Sequence, residues 1–479
     1  MLDRFFRLRE NNTTARTEML AGLTTFLTMA YIIFLQPVVL TGKLFGQPNG
    51  MDEGAVMTAT CVAAALATAI MGLYARYPIA QAPGMGENFV FVFSVVPAAG
   101  AMIAAGSVAG DSTTAWQIAL GVVFIAGVLF LGISLLGVRE MLLEAVSPSM
   151  RNAIAVGIGL FIAFIGLQGA TLVVDDPGHL VKMNPRVATV DLIVFFFGLL
   201  LTAGLYARRV RGSIVLGIVG ATLLAVALKL GVGLLPAGVF GSDAVVQSKL
   251  MTQFVLAEGV VSSPPSMAPT FLKMDLVNAL AWPMIPFILI FLFMDLFDTL
   301  GTLMGVSEQA GFIRDNKLPR AKEALLSDAV GTVVGAACGT STVTSFIESA
   351  AGVEQGGRTG LTALTAAALF LLALFFAPII QMVGSYPSIT APALVVVGSM
   401  MMRNVTKIEW SNYAESMPAF ITIVGIALTY SIADGLALGF ISYPIIKLSA
   451  GQGREVKWLM YAMAVVLALY LVFVRCRVG

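Results

Sequence analysis

Residues 339–353 read GTSTVTSFIESAAGV, a polar stretch that interrupts a chain built mainly of apolar segments. A matching interruption, PIAQAPGMGENFVFVFSVVP, occupies residues 78–97. Each holds an extended piece followed by an apolar piece, at about 88–98 and 345–353, that is too short to cross a bilayer alone. Extended backbone at membrane depth is tolerated only where protein buries it or where it lines a cavity. We therefore predict two short half-helices, each preceded by a short extended strand, and two antiparallel strands that can pair with each other.

The composition of the chain indicates a protein solvated by lipid. Of its 479 residues, 58% are hydrophobic and 11% are charged, whereas globular domains have roughly 45–50% and about 25%. The predicted fold class is an all-α polytopic membrane protein. A net charge of +1 excludes a nucleic-acid binder held by a basic field. The few cysteines and the single His179 have no metal-ligand spacing, so we expect no metal, no cofactor and no enzymatic site.

Apolar runs follow one another along the chain, and with the two short pieces they give about 14 segments. The longer runs are 19–40, 55–75, 115–138, 150–170, 190–207, 212–234, 277–304, 323–338, 360–383, 389–402, 417–432, 434–447 and 457–474. Lys and Arg concentrate in alternate loops, on the side of residues 1–17, which predicts a cytoplasmic N-terminus. The long loop 236–274 then lies outside. It separates two halves of seven segments if the tail counts as two, and an odd number per half predicts the inverted repeats of secondary transporters.

Ionisable side chains inside apolar segments are costly and point to function. The candidates are Glu87, Asp295, Asp298 and Glu348. Asp295 and Asp298 share one polar stripe of a helix because they are spaced i, i+3. Structural roles remain as alternatives: Glu348 has capping-box spacing from Ser345, Asp298 can bond within its helix, and Glu87 can cap a short helix.

Three stretches resemble the AzgA-type purine permeases, the adenine–guanine–hypoxanthine branch of the nucleobase–cation symporters. These stretches are 82–88, 294–303 and 339–353. The resemblance implies a core domain of residues 18–140 and 276–384, a gate domain of residues 148–235 and 388–475, and a substrate between them. Matched position by position, it implies substrate contacts at Asp295, Glu348, Gly86 and Asn88.

The remaining candidates flank these positions. Glu87 replaces an apolar residue of many relatives, so it either alters purine recognition, joins proton coupling or has a structural role. Phe89 and Phe346 either offer apolar faces to a planar base or pack in the core. Thr344 and Ser345 complete the predicted substrate-binding set, and the predicted proton-coupling candidates are Glu348, Asp295, Asp298 and Glu87.

The function expected from these features is import of purine nucleobases by proton symport across the inner or plasma membrane. A carboxylate accepts two N–H bonds of a purine edge side by side, and Asn88 both donates and accepts. The expected partners are the purine, protons, the lipid bilayer and, by resemblance, a second copy bound through the gate domain. The alternatives are a sulfate- or bicarbonate-type anion transporter and a uracil or xanthine transporter of the same fold. Sodium is the alternative coupling ion.

Overall fold

The computed structural model describes residues 2–110, 113–136, 146–187, 189–231, 247–312 and 319–475. Parts of six sequence-based predictions lie outside these residues. They are residue 1 of the segment 1–17, the ends of the runs 115–138 and 212–234, residues 236–246 of the long loop, residues 111–112, 137–140 and 313–318 of the core domain, and residues 188 and 232–235 of the gate domain.

Seven principal helices form the first half of the described chain, and eight form the second. The first set is α1 Ala15–Leu40, α2 Glu53–Ala75, α3 Met85–Ala104, α4 Ala115–Leu136, α5 Pro148–Gly169, α6 Val190–Ala207 and α7 Ser213–Gly231. The second set is α8 Trp282–Ser307, α9 Ala321–Cys338, α10 Ser349–Glu354, α11 Gly360–Gly384, α12 Pro387–Lys407, α13 Tyr413–Leu428, α14 Ile432–Ser449 and α15 Trp458–Val472. Among the described residues, 11 helices are long and apolar enough to cross a membrane.

The first of the two predicted half-helices is longer than the sequence suggested. Helix α3 runs for 20 residues, or about 30 Å at the α-helical rise. Pro97 lies inside it without ending it, because the preceding turn, Phe91–Val95, is π-helical and shifts the local hydrogen bonding. The second half-helix is short as predicted, since α10 has 6 residues.

The C-terminal tail contains three helices where the repeat of seven needs two. The apolar stretch divides at Tyr430 and Ser431, between α13 and α14, and again at the polar turn before α15. Tyr430 has a left-handed backbone with φ of 56°, which lets the chain reverse between α13 and α14. The second half therefore carries one helix more than the first in the described chain.

The two predicted strands pair as expected. Strand β1, Gln81–Pro83, lies antiparallel to strand β4, Val343–Ser345, with Ala82 opposite Thr344. The strands are buried and precede α3 and α10 respectively. This pairing confirms the sequence-based prediction and joins equivalent positions of the two halves.

A second antiparallel pair was not predicted. Strands β2 Val173–Asp176 and β3 Leu180–Met183 form a hairpin between α5 and α6, so the chain is not strictly all-α. His179 lies in its turn, where its Nδ1 is 2.9 Å from Asp176 Oδ2. Hydrogen bonds to its carboxylate hold the pKa of Asp176 below its usual range. The bond from the Lys182 ammonium has the largest effect, and the bond with His179 has the next largest.

The most extensive helix contacts fall into two groups. In one group α9 packs against α4 and α2, and α11 packs against α1 and α2. In the other group α5 packs against α12 and α13, α13 packs against α14, and α6 packs against α7. Close approach within the first group depends on small residues: a Cβ added to Gly360 of α11 would lie 1.8 Å from the carbonyl oxygen of Gly72 in α2.

Replacing Gly360 with alanine should therefore destabilise the fold. The new methyl group would meet backbone atoms of Gly72 that cannot move away independently, and overpacking of this kind costs about 1–3 kcal/mol. The measurement is the thermal unfolding temperature of the purified protein in detergent. Gly132→Ala in α4 is the matched control, because within the described part of the chain no atom outside the neighbouring backbone of α4 lies within 4 Å of its added Cβ. Equal unfolding temperatures for the two variants would contradict the proposed close contact.

Candidate ligand cavity

A large cavity lies between the two groups of helices. Its volume is about 930 Å³. The turn between β1 and α3 and the segment from β4 to α10 contribute to its wall, together with residues of α1 and α8. Residues of α5, α12, α14 and α15 line the opposite side. The cavity therefore meets both strand-to-helix junctions that the sequence marked as interruptions.

Three of the predicted acids line this cavity: Glu87, Asp298 and Glu348. Thr344 Oγ1 donates to Asp298 Oδ2 at 3.1 Å, and Tyr31 Oη donates to Glu348 Oε1 at 2.8 Å. Among the described residues none of these acids forms an ion pair with a Lys or Arg side chain. The cavity floor is therefore a set of three carboxyl groups, two of them held by neutral hydroxyl donors, that can accept further hydrogen bonds from a ligand.

The capping box expected for Glu348 is not seen. Glu348 is itself the N-cap residue of α10, but its side chain makes no capping bond and turns to Tyr31. Ser345, the other member of the expected capping box, donates its hydroxyl to Asp328 Oδ1 at 2.8 Å. Glu87 lies in the first turn of α3, and its carboxyl group is beside the N-cap residue Gly84, so its structural alternative stays open.

Four further predicted residues line the cavity: Gly86, Thr344, Ser345 and Phe346. Gly86 allows α3 to lie close to α5, because an added Cβ would be 3.2 Å from Ile158 Cγ2. Phe346 is almost fully buried and presents part of its ring to the cavity. These residues give the carboxyl-lined floor an apolar surface beside its hydroxyl groups.

Asp295, Asn88 and Phe89 lie behind the cavity wall rather than in it. Asp295 is 2% exposed, and its Oδ2 accepts a hydrogen bond of 2.7 Å from Thr332 Oγ1. Its Oδ1 has no hydrogen-bond partner among the described residues. Phe89 is fully buried, and its ring centroid lies 5.8 Å from that of Phe161. The resemblance implies a direct contact between the substrate and Asp295, but the structure gives that side chain no cavity surface.

Asn88 belongs to a buried polar network that supports the wall. Its amide exchanges hydrogen bonds with Gln36 of α1, one of them 3.0 Å long, and it accepts another from Ser341. Gln36 Nε2 also donates to Thr340 Oγ1 at 2.9 Å. The network ties α1, α3 and the segment before β4 together, and it leaves Asn88 unexposed.

Asp328 is a buried acid that the sequence analysis missed. It lies on α9, and its Oδ1 accepts from Gln81 Nε2 at 2.7 Å and from Ser345 Oγ at 2.8 Å. Its Oδ2 accepts from Thr299 of α8. One carboxyl group therefore joins both strands to two helices. The signal was present, because Asp328 is an ionisable residue inside an apolar segment, the criterion that selected the other acids.

Polar residues line one part of the cavity. They come from the first turns of α5 and the last turn of α12, and include Arg151, Asn152, Arg403, Asn404 and Lys407. An aromatic cluster lies outside the cavity lining, where the Tyr430 ring is edge-on to Phe93 and Phe161 at centroid distances of 5.0 and 5.3 Å.

A cavity that lies between two helix groups and is lined by strand-interrupted segments is typical of integral multi-pass membrane transporters. Within this class the chain belongs to the Permease family (Xan_ur_permease), whose model matches residues 16–438. It is 41% identical to a guanine/hypoxanthine permease of Bacillus subtilis over 98% of this chain and 99% of that protein. It is 37% identical to an adenine permease of Escherichia coli over 99% of this chain and 96% of that protein. These relatives confirm the resemblance found in the sequence.

A solved structure supports the fold independently. The transmembrane domain of a cyanobacterial bicarbonate transporter superposes with a TM-score of 0.57, covering 88% of this chain and 97% of that chain. The two sequences are 15% identical, so the likeness concerns the fold alone.

Removal of the Asp328 carboxyl group should loosen the strand pair. In Asp328→Ala, the buried donors of Gln81, Ser345 and Thr299 lose their common acceptor, at about 1–3 kcal/mol for each donor left unpaired. We expect a large fall in the thermal unfolding temperature of the purified protein. Asp328→Asn should restore part of it, because the amide oxygen still accepts at the Oδ1 position.

The neighbouring Ser327→Ala is the control for this experiment. Among the residues that the structure describes, the Ser327 hydroxyl bonds only to the carbonyl of Glu323 in its own helix, so its loss should change the unfolding temperature little. If Asp328→Ala unfolds at the same temperature as Ser327→Ala, Asp328 does not hold the strands.

Proposed function

We propose that this protein imports purine nucleobases across the inner or plasma membrane by proton symport. The observation that carries the proposal is one cavity lined by Asp298, by Glu348 and by both strand-to-helix junctions. The names of the relatives, which are guanine/hypoxanthine and adenine permeases, supply the substrate class. A floor of carboxyl groups does not favour the alternative of an anion substrate, because like charges repel.

We assign the base-binding contacts to Asp298 and Glu348. Their free oxygens accept N–H groups from the edge of a purine, and such charge-assisted bonds are roughly twice as strong as bonds between neutral groups. Glu87 lines the same floor and adds an acceptor, while Phe346 supplies an apolar face. Gly86 keeps the floor open. Asn88 and Phe89 support the wall, and Thr344 and Ser345 orient the acids behind the ligand.

The architecture we propose is two inverted repeats of seven segments, α1–α7 and α8–α14, with α15 added at the end. The antiparallel pairing of β1 with β4 supports the inversion, because it relates equivalent places in the two halves. Residues 18–140 and 276–384 form the core domain, and residues 148–235 and 388–475 form the gate domain. The two groups of helix contacts support this division.

Loop charges support the proposed orientation of the protein in the bilayer. Residues 1–17 and the end of the cavity that carries Arg151, Arg403 and Lys407 face the cytoplasm by the positive-inside rule. The loop 236–274 lies outside. The cavity then opens toward the cytoplasm. Exposed apolar side chains of the gate domain, such as Leu200 at 69% and Leu223 at 66%, contact lipid or a second copy.

We assign the coupled proton to Asp295. Its carboxyl group is buried without a cationic partner, and one oxygen has no hydrogen-bond partner among the described residues. An ionised carboxylate in such a place is far more costly than the neutral acid. Asp295 lies three residues from Asp298, so a proton held there offsets charge beside the ligand and can be released when water reaches the site.

Expression of this protein in cells that lack purine uptake should restore accumulation of radiolabelled adenine, guanine or hypoxanthine. Unlabelled purines should compete, whereas uracil and sulfate should not. Accumulation should rise as the external pH falls and collapse with a protonophore, because inward proton movement drives it. Uptake of uracil or sulfate that purines fail to inhibit would contradict the substrate class. Accumulation that follows a sodium gradient and ignores a protonophore would contradict proton coupling.

Replacing each of the two acids of α8 by asparagine should produce a different defect in binding or transport. Asp298→Asn removes a ligand contact worth about 1.5–3 kcal/mol, so base binding to the purified protein should weaken by roughly 10- to 150-fold. Asp295→Asn should bind base almost normally and exchange it across proteoliposomes, but should not concentrate it under an imposed pH gradient. Each variant is the control for the other. Loss of binding in Asp295→Asn with normal binding in Asp298→Asn would reverse the assignment.

A further inference from the structure

The cytoplasmic mouth of the cavity carries three cationic side chains that the proposed function does not use. Arg151 projects from the start of α5, and Arg403 and Lys407 come from the last turn of α12, which packs beside α5. We call these three residues the basic rim. Arg403 is held in place by Tyr206, since its Nη2 donates to the Tyr206 hydroxyl at 3.0 Å and its guanidinium lies 5.9 Å from the ring centroid.

The basic rim has unused hydrogen-bonding and charge capacity. Arg151 Nε is buried and has no hydrogen-bond partner in the described part of the chain. Within residues 2–110, 113–136, 146–187, 189–231, 247–312 and 319–475, no carboxylate forms an ion pair with any of the three cations. A planar guanidinium with free donors is well suited to bind phosphate oxygens, and a lysine ammonium adds a point charge.

The cavity is larger than its proposed substrate needs. Its volume of about 930 Å³ lies at the upper end of the range that holds a drug-sized ligand, whereas a nucleobase is only a fragment of that size. The acids come from the strand-to-helix junctions and α8, and the cations come from the ends of α5 and α12, so one cavity carries opposite charges on separate parts of its wall. A ligand with a base at one end and an anion at the other matches this arrangement in one orientation only.

We propose that the basic rim binds the phosphate of a purine nucleoside monophosphate whose base occupies the floor of the cavity. The inference rests on the proposed function, because it uses the same base site. A phosphate at the rim holds the ligand across both helix groups and prevents the cavity from closing. The nucleotide therefore inhibits transport from the cytoplasmic side and is not carried. A reaction that attaches ribose phosphate to the imported base produces this inhibitor, which links import to the consumption of the base.

The test uses the purified full chain in nanodiscs of zwitterionic phosphatidylcholine. Adenine, guanine or hypoxanthine, whichever binds most tightly, is the radiolabelled probe, and its nucleoside and nucleoside 5′-monophosphate are the competitors. The monophosphate should displace the base at a concentration roughly 10-fold or more below that of the nucleoside, as expected for charge-assisted bonds to phosphate. This advantage should shrink as salt is added.

Variants locate the effect at the rim. Arg151→Gln and Lys407→Gln should each remove most of the advantage of the monophosphate while leaving the affinity for the base unchanged. Arg208→Gln is the matched control, because Arg208 is an exposed cation after α6 that does not line the cavity. An equal loss in Arg208→Gln would show a general charge effect and would overturn the assignment to the rim.

Two further measurements distinguish the phosphate of a nucleotide from free phosphate and from a lipid headgroup. If inorganic phosphate or nanodiscs with anionic phosphatidylglycerol abolish the advantage of the monophosphate, the rim binds free phosphate or a lipid headgroup and the proposal is wrong. If nucleoside and monophosphate displace the base equally, the proposal is also wrong, while the proposed function stands. Failure of every purine base to bind would instead contradict the proposed function.

Discussion

The pairing of two three-residue strands is the constraint on which the rest of the molecule depends. Extended backbone cannot be left unpaired in the middle of a membrane protein, because no water is available to its N–H and C=O groups. Strands β1 and β4 satisfy part of their backbone through each other, and the backbone groups of Gln81 and Val343 also bond to the hydroxyl groups of Thr68 and Thr332. The two halves of the chain must therefore meet at these residues. Asp328 reinforces the meeting point by accepting from Gln81 on one strand and Ser345 on the other.

The position of the cavity follows from this pairing. Each strand leads directly into a helix, so the side chains at the starts of α3 and α10 are brought to the same depth. Glu87 and Glu348 then lie at one cavity floor although they are far apart in sequence. Helix α8 passes beside the strand pair and adds Asp298, which Thr344 of β4 holds by a hydrogen bond. Cavity-lining acids from three separate segments thus depend on one small sheet.

Sequence alone could predict the interruptions, the strand pairing and the acids, but not which acid reaches the cavity. Asp295 and Asp298 differ by about 60° around a helix, and no sequence pattern shows which direction faces the ligand. The length of α3 was underestimated because Pro97 resembles a helix end, whereas a π-helical turn accommodates it. Asp328 was missed because charged residues begin α9, and Asp328 follows them closely enough to resemble part of the polar start of that helix. These errors concern side-chain direction and local backbone geometry, which depend on tertiary contacts.

The amide pair between Gln36 and Asn88 has a consequence for how the transporter works over a range of acidity. Amide side chains neither gain nor lose protons near neutral pH, so their hydrogen bonds keep the same donors and acceptors while nearby carboxyl groups change charge. The network that joins α1, α3 and the segment before β4 therefore keeps the same hydrogen bonds whatever the charge of the nearby acids. This part of the cavity wall can hold its shape under conditions in which buried carboxyl groups gain or lose a proton.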